Sequence, residues 1–130
     1  VARFGVICSK WIKSNAISIV RGLQDGGAQL VGMGSGQPNR IDAIAKLAVP
    51  KALEVLAAEV GGQKSKKLFS NCVLVSDAFF PFPDNVEQAH QAGFDYIVQP
   101  GGSIKDSEVI RVADELGVSM SFTGKRHFRH

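Results

Sequence analysis

Cysteine is scarce in this sequence of 130 residues, and the two that occur, Cys8 and Cys72, lie far apart. Together with three histidines they show no spacing typical of zinc ligands, so we expect no catalytic transition metal. Each cysteine is surrounded by apolar residues, which favours two buried thiols over a disulfide framework. This pattern predicts a reducing compartment, and we expect the protein to be cytoplasmic.

The sequence also lacks a long apolar run. No stretch approaches the roughly 20 apolar residues that a membrane-spanning helix needs, and the start VARFGVICSK has no signal-peptide cleavage pattern. We therefore expect no membrane partner. The first residue is valine rather than methionine, which indicates processing or a piece of a longer protein.

Positive charge is not concentrated enough in the sequence to indicate a nucleic-acid partner. The net charge is +3, and the basic residues are dispersed except at Lys64, Lys66 and Lys67 and in the final segment KRHFRH. A local anion site would explain these residues equally well. We expect no nucleic acid partner; a nucleic-acid-binding domain stays an alternative that strong, salt-dependent RNA affinity would favour.

Hydrophobic residues make up 45% of the sequence and charged residues 21%, which is typical of a globular protein. The length suits one core, so residues 1–130 are predicted to form a single domain. Apolar periodicity and turn residues predict strands at 15–20, 29–33, 73–75, 96–98 and 118–122, and helices at 4–12, 41–60, 85–91 and 105–116. Pro50 should break or kink the second helix, and residues 61–67 should form a loop.

The order of these elements predicts an α/β fold. Two early strands form an antiparallel hairpin, and the later β-α-β-α-β succession gives three parallel strands through right-handed crossovers. We expect a three-layer sandwich around a mixed sheet of about five strands.

Three unusual segments should follow the carboxyl ends of the parallel strands, where open α/β sheets bind ligands. They are SDAFFPFPDN, QPGGS and TGKRHFRH. Pro81 and Pro83 exclude a helix in the first segment. In the second, the glycine amides could hold an anion, or could form only a turn with Ser103 as a helix cap.

Further polar residues allow two interpretations each. Arg40 ends the glycine-rich GSGQPNR, where a helix start and a guanidinium suit a phosphate, although the Walker lysine is absent. Asn15 caps or turns the backbone by default, and its amide could instead recognise a carboxamide. Asp77 is predicted to form a turn, and Asp84 to act as an N-cap.

Five motifs, in order, carry a resemblance: KSNAI, GSGQPNRID, SDAFFPFPDN, QPGGSIKD and FTGKRHFRH. Through them the chain resembles the C-terminal part of the AICAR transformylase domain of the bifunctional purine-synthesis enzyme, which also carries IMP cyclohydrolase. The resemblance implies a cytidine-deaminase-like fold without zinc. It also implies a part in formyl transfer from 10-formyltetrahydrofolate to AICAR, with a second transformylase half and a homodimer as partners.

The same resemblance implies roles for particular residues. Phe80 and Phe82 would pack to fix the aromatic loop, and a monovalent cation near Asp77 and residues 13–15 is left open. AICAR would contact Asn15, Arg40, Phe79, Ser103, Ile104 and Arg126. The folate co-substrate would contact Ile41, Pro81, Asp84 and Asn85.

Two departures from the family pattern qualify this expectation. The catalytic lysine-histidine pair has no counterpart, because no Lys-His dipeptide occurs in the sequence, so the catalytic residues are unknown and the isolated chain is expected to be inactive. Pro83 stands where the family pattern has a basic residue. An alternative is a stand-alone AICAR-binding module without catalysis; a zinc deaminase is disfavoured because its ligand motif is absent.

Overall fold

A computed structural model describes all 130 residues and contains one five-stranded sheet. The strand order is β2-β1-β3-β4-β5, so the first two strands lie at one side and the last two at the other. The strands are β1 (Ile17–Gly22), β2 (Ala28–Gly34), β3 (Cys72–Ser76), β4 (Tyr96–Gln99) and β5 (Ser119–Phe122).

The sheet is mixed, as the sequence predicts. β1 pairs antiparallel with β2 in a hairpin and antiparallel with β3, whereas β3, β4 and β5 run parallel. Helices α4 (Asp84–Ala92) and α5 (Asp106–Leu116) connect the parallel strands. Each of these helices ends at a glycine with positive φ, Gly93 and Gly117, which is the usual stop signal where the chain turns back to a strand.

Helices cover both faces of the sheet and give the predicted three-layer α/β sandwich. Helix α1 (Ala2–Trp11) packs on β1 and β3 over a small apolar cluster of Val20, Val75 and Val98. The main core lies on the opposite face, where nineteen buried residues join the sheet to α4, α5 and the helical run that follows β2. No helix in the chain is both long and apolar enough to span a membrane.

Pro50 was predicted to break or kink the second helix, and the break is wrong. The helical run continues from α2 (Arg40–Asp42) through a π-helix (Ala43–Ala48) into α3 (Val49–Glu59). Pro50 lies in the first turn of α3, a position that proline tolerates well, and the change of helix type comes just before it.

Two glycines of β2 allow this helical run to lie directly on the sheet. A Cβ at Gly32 would stand 2.3 Å from the carbonyl oxygen of Ala48, and one at Gly34 would stand 2.2 Å from that of Ala43. Both distances are too short for any side chain, so the close approach requires glycine. This contact fixes Arg40, at the start of the run, relative to the sheet edge.

The predicted loop at 61–67 is shorter than expected. Lys66 and Lys67 belong to a 3₁₀-helix (Lys66–Phe69), and the Ser65 hydroxyl accepts a hydrogen bond from the Lys67 amide. Its last residue, Phe69, is buried and stacks on Phe94 with ring centroids 4.5 Å apart. An aromatic anchor therefore fixes the end of the segment that precedes β3.

Candidate functional site

A cavity of about 250 Å³ lies between the start of α2 and the start of α4, beyond the carboxyl end of β3. Its lining mixes polar side chains with proline and phenylalanine, and it carries one cation and one carboxylate. The lining residues are Asn15, Pro38, Asn39, Arg40, Ile41, Pro81, Phe82, Asp84 and Asn85.

Arg40 is the most constrained charged residue of this cavity. Only 9% of it is exposed; its Nε donates to Ser76 Oγ at 3.0 Å and its Nη2 to Asp77 Oδ1 at 3.1 Å. Burial lowers the pKa of Arg40, and the neighbouring Asp77 carboxylate opposes that shift. Much of the Arg40 charge is therefore balanced within the protein before any ligand binds.

Asp77 lies in a bend directly after β3, and its side chain does more than turn the chain. Its carboxylate is buried and accepts from the Ser14 hydroxyl, from the Ala16 amide at 3.2 Å and from Arg40. Its backbone carbonyl accepts from the His127 amide at 2.7 Å. Asp77 thus connects the cavity to the start of β1 and to the final segment of the chain.

The final segment is held against the sheet edge and is not frayed. The Ser14 amide donates to the Arg129 carbonyl at 2.8 Å, and the Arg129 amide donates to Ser14 Oγ at 3.0 Å. Arg126 itself is exposed, with its guanidinium carbon 6.0 Å from the Phe128 ring centroid. The backbone around Arg126 is therefore placed, while its side chain faces solvent.

Asn15 lies at the cavity edge and is half-buried. Its Nδ2 donates to the Gln37 carbonyl at 2.9 Å, and its backbone amide donates to the same oxygen at 3.3 Å. These bonds connect the KSNAI segment to the glycine-rich segment before Arg40, so the two predicted motifs form one wall.

The start of α4 differs from the prediction. Pro83 occupies the N-cap position and provides no side-chain cap, so Asp84 is not the N-cap but the first helical residue. The Asp84 Oδ1 accepts from Asn85 Nδ2 at 2.7 Å. Asn85 is only 3% exposed, and its Oδ1 has no hydrogen-bond partner. A buried acceptor without a donor is costly, and this one belongs to a cavity-lining residue.

The two phenylalanines expected to pack in the aromatic loop behave differently. Phe80 is fully buried in the main core. Phe82, in contrast, is 55% exposed and lines the cavity, so its expected packing role is wrong. Side chains two residues apart share a face only while the chain stays extended, and residues 81 and 82 lie in a bend that separates Phe82 from the core.

The QPGGS segment forms a self-contained turn next to this site. Gly101 and Gly102 have φ values of 72° and 98°, and Asp106 accepts from the Gly102 amide at 2.7 Å and the Ser103 amide at 3.1 Å. Ser103 Oγ accepts from the Lys105 amide at 3.1 Å. The glycine turn therefore describes this segment, and Asp106 occupies the amides that could have bound an anion. Ser103 is not the predicted helix cap, because the N-cap of α5 is Lys105.

The structure thus gathers some of the predicted site residues and separates others. Phe79 is half-buried, Ser103 is half-buried in the glycine turn, Ile104 is 97% exposed, and Arg126 faces solvent, so none of these four lines the cavity. Those that line it are Asn15, Arg40, Ile41, Pro81, Asp84 and Asn85.

Sequence reasoning missed two residues that organise the site edge. Gln99 is fully buried and accepts backbone hydrogen bonds from two loops, and Asp106 closes the glycine turn. The available signals were a glutamine that directly follows the apolar Tyr96, Ile97 and Val98, and an aspartate four positions after a glycine pair.

No group of three or more histidine, cysteine, aspartate or glutamate side chains is arranged to hold a metal ion. The two thiols are also poor nucleophiles. Burial raises the pKa of Cys72 to about 11, and burial raises the pKa of Cys8 as well.

Comparison with known proteins confirms the resemblance seen in the sequence. The family described as AICARFT/IMPCHase bienzyme matches residues 2–51. Curated relatives extend the similarity along nearly the whole chain, and each is called "Bifunctional purine biosynthesis protein PurH". The proteins of Chelativorans sp. and Brucella anthropi are each 48% identical over 128 residues, and that of Lactococcus lactis is 44% identical over 121 residues.

The similarity covers almost all of this chain but a small part of each relative. The aligned region is 98% of the chain and 22% of the relative for the first two proteins, and 93% and 20% for the third. The chain therefore spans about a fifth of the length of the curated relatives that it matches.

Proposed function

Since the chain is similar along nearly its whole length to one segment of the bifunctional purine biosynthesis proteins, we propose that it forms the C-terminal part of an AICAR transformylase unit. In this role it takes part in formyl transfer from 10-formyltetrahydrofolate to AICAR. We propose further that residues 1–130 are one cytidine-deaminase-like domain of that unit and work beside a second transformylase half.

One observation carries this proposal. All four residues assigned to the folate co-substrate, Ile41, Pro81, Asp84 and Asn85, line one cavity. Within it, the buried Asn85 Oδ1 has no donor in the protein. A ligand with N–H groups, such as an amino-pyrimidine edge, would supply that donor.

The size of the cavity limits what it holds. At about 250 Å³ it is smaller than the roughly 300–1,000 Å³ of complete small-molecule sites, so it accommodates a ring-sized group and not a whole folate. Pro81, Phe82 and Ile41 provide flat apolar contact for such a ring. We propose that the remainder of the co-substrate extends toward a partner segment.

The residues assigned to AICAR divide into two groups. Asn15 and Arg40 lie at the cavity, where Asn15 offers an amide and Arg40 is already paired with Asp77. Phe79, Ser103, Ile104 and Arg126 lie outside it. We propose that Arg126, the exposed cation among them, contacts the nucleotide phosphate, because the charge of Arg40 is balanced internally.

Positioning of two substrates is the chemistry that this chain offers. Holding the AICAR amine near the formyl group lowers the entropic cost of their encounter. Proton transfer also needs an acid-base group, and the single carboxylate of the cavity lining, Asp84, already accepts a hydrogen bond from Asn85. The lysine-histidine pair of the resemblance is absent from these residues. We therefore propose that the isolated chain binds without turnover and that a partner segment supplies the pair.

Calorimetry with AICAR and with 10-formyltetrahydrofolate tests the proposal. The unmodified chain should bind both, and Asn85→Leu should weaken the folate about tenfold or more, because it removes the unpartnered acceptor at nearly constant volume. The control is Gln91→Leu, an exposed residue of the same helix that does not line the cavity. Equal folate binding by the two variants would contradict the assignment.

Calorimetry and a formyl-transfer assay together separate the remaining possibilities. In calorimetry, binding of AICAR with no folate affinity would favour the stand-alone nucleotide-binding module. Full turnover by the 130 residues would contradict the proposed need for a partner.

A further inference from the structure

Gln99 is a fully buried polar side chain at the carboxyl end of β4. Its Oε1 accepts from the Phe80 amide at 3.1 Å and from the Gly101 amide at 3.1 Å. Its Nε2 contacts the sulfur of Met120, on the neighbouring strand β5, at 3.3 Å. One side chain therefore joins the loop after β3, the loop after β4 and the edge strand.

Burying a glutamine at this position costs more free energy than burying an apolar residue would. Burying an amide costs free energy that its hydrogen bonds only balance, and Met120 is a weak acceptor for the Nε2 donor. The position is next to the main core, where Phe80 and Met120 pack. An apolar residue there, however, would leave the Phe80 and Gly101 amides without their present acceptor.

The two amides belong to loops that are otherwise separate. The Phe80 amide lies between Phe79, assigned to the nucleotide, and Pro81, which lines the cavity. The Gly101 amide precedes Gly102 and Ser103, whose own amides bind Asp106. A single oxygen that holds both amides at 3.1 Å fixes the distance between the two loops.

We infer that Gln99 is a positioning residue that holds the cavity loop in register with the glycine turn. It does not line the cavity and acts through the Phe80 and Gly101 backbones. Its effect on ligand affinity rests on the proposed function, whereas its effect on the two loops does not. Without the shared acceptor, we expect both loops to open locally while the rest of the sheet stays folded.

Amide hydrogen exchange, measured by NMR on the full 130-residue chain, tests the inference. In Gln99→Leu, the Phe80 and Gly101 amides should exchange about tenfold faster or more, while the Ile19 and Gly34 amides of the hairpin keep their rates. Gln99→Glu keeps an acceptor oxygen and should restore slow exchange. Met120→Leu removes only the sulfur contact and should leave both loop amides protected.

Several outcomes would overturn the inference. Unchanged exchange at Phe80 and Gly101 in Gln99→Leu would show that the oxygen does not hold the loops. An equal acceleration at all amides, hairpin included, would show that Gln99 only supports global stability. If Gln99→Leu does not fold, Gln99→Met, which matches glutamine in length and lacks the carbonyl, carries the same expectations.

Calorimetry with AICAR and 10-formyltetrahydrofolate extends the test to the site. Gln99→Leu should weaken binding of both ligands about fivefold or more, and Met120→Leu should weaken neither. Loosened loops together with unchanged affinities would contradict the coupling to the site. If the unmodified chain binds neither ligand, the proposed function fails, and the exchange experiment still decides whether Gln99 positions the loops.

Discussion

The loop after β3 and the loop after β4 lie at the same edge of the sheet but satisfy their polar groups in opposite ways. In the first, residues 76–83 lead to Asn85, whose buried Oδ1 has no partner, and to a cavity with polar walls. In the second, residues 100–105, the Gly102 and Ser103 amides donate to Asp106, and Ile104 is almost fully exposed.

This difference separates a region with a buried polar atom that has no partner from one in which the amides are bound within the protein. The first loop leads to a buried acceptor without a partner, and the buried Arg40–Asp77 pair joins the start of this loop to α2. The second loop has no unpartnered buried group, and its two assigned side chains, Ser103 and Ile104, lie outside the cavity. We infer that its part in the site depends on contacts from outside this chain.

Among the variants that test this comparison, Asp77→Ala should have the largest effect on stability. Removing the carboxylate leaves the Arg40 guanidinium buried without its counter-ion, so the free energy of unfolding should fall by about 3–5 kcal/mol. The final segment should also loosen, because the Ser14 hydroxyl loses its acceptor. Urea denaturation measures the first effect, and exchange of the Arg129 amide measures the second.

The matched control is Asp77→Asn, which keeps an acceptor oxygen for Arg40 and should lose less stability than the alanine variant. A loss below about 1 kcal/mol in Asp77→Ala would mean that the buried pair does not hold the cavity loop.

The corresponding change in the second loop is Asp106→Ala. It frees the Gly102 and Ser103 amides, but Gly102 is exposed, so water can replace the carboxylate. We expect a smaller loss of about 1–2 kcal/mol in urea denaturation. Asp106→Asn keeps an acceptor and should recover part of it. The comparison fails if Asp106→Ala costs as much as Asp77→Ala.

Much of the fold follows from local sequence patterns, and the site follows from them only in part. Alternating strands and helices predicted the mixed sheet and located the three loops at one edge. Apolar periodicity did not predict the π-helix, and the close approach of this run to β2 requires Gly32 and Gly34, which belong to a different element. The role of Asp77 depends on three partners from distant segments, which no local pattern contains.

Pro83→Arg tests the comparison at the start of α4, between the cavity-lining Phe82 and Asp84. It introduces the basic residue that the resemblance implies at this position, and it removes the rigid N-cap of α4, which has a φ of −61°. We expect the free energy of unfolding to fall by about 0.5–1 kcal/mol, mainly because the unfolded chain gains freedom. Thermal denaturation measures this, with Pro38→Arg, a proline of the opposite cavity wall, as the control.

The same variant tests whether ligand binding depends on having proline or a basic residue at position 83. Calorimetry should show that Pro83→Arg alters affinity for 10-formyltetrahydrofolate while leaving AICAR affinity as it was. A stability gain in Pro83→Arg would contradict the stiffening role of the proline.

The smallest expected effect concerns an exposed ion pair remote from both loops. Arg21 Nη2 lies 2.5 Å from Glu59 Oε1, and the Arg21 hydrogen bond holds the pKa of Glu59 below its ordinary value. A carboxylate with a lowered pKa in the folded state stabilises above its ordinary pKa, and that contribution is lost as the pH falls through the lower one. Glu59→Gln should therefore have a slightly lower melting temperature than the unmodified chain at pH 7, and the difference should shrink as the pH falls below the ordinary pKa of glutamate. Glu54→Gln, from the exposed Lys51–Glu54 pair, is the control. A difference that stays constant as the pH is lowered would show that Glu59 stabilises through packing and not through charge. A loss at pH 7 as large as that of Asp77→Ala would remove the distinction between the buried Arg40–Asp77 pair and an exposed pair.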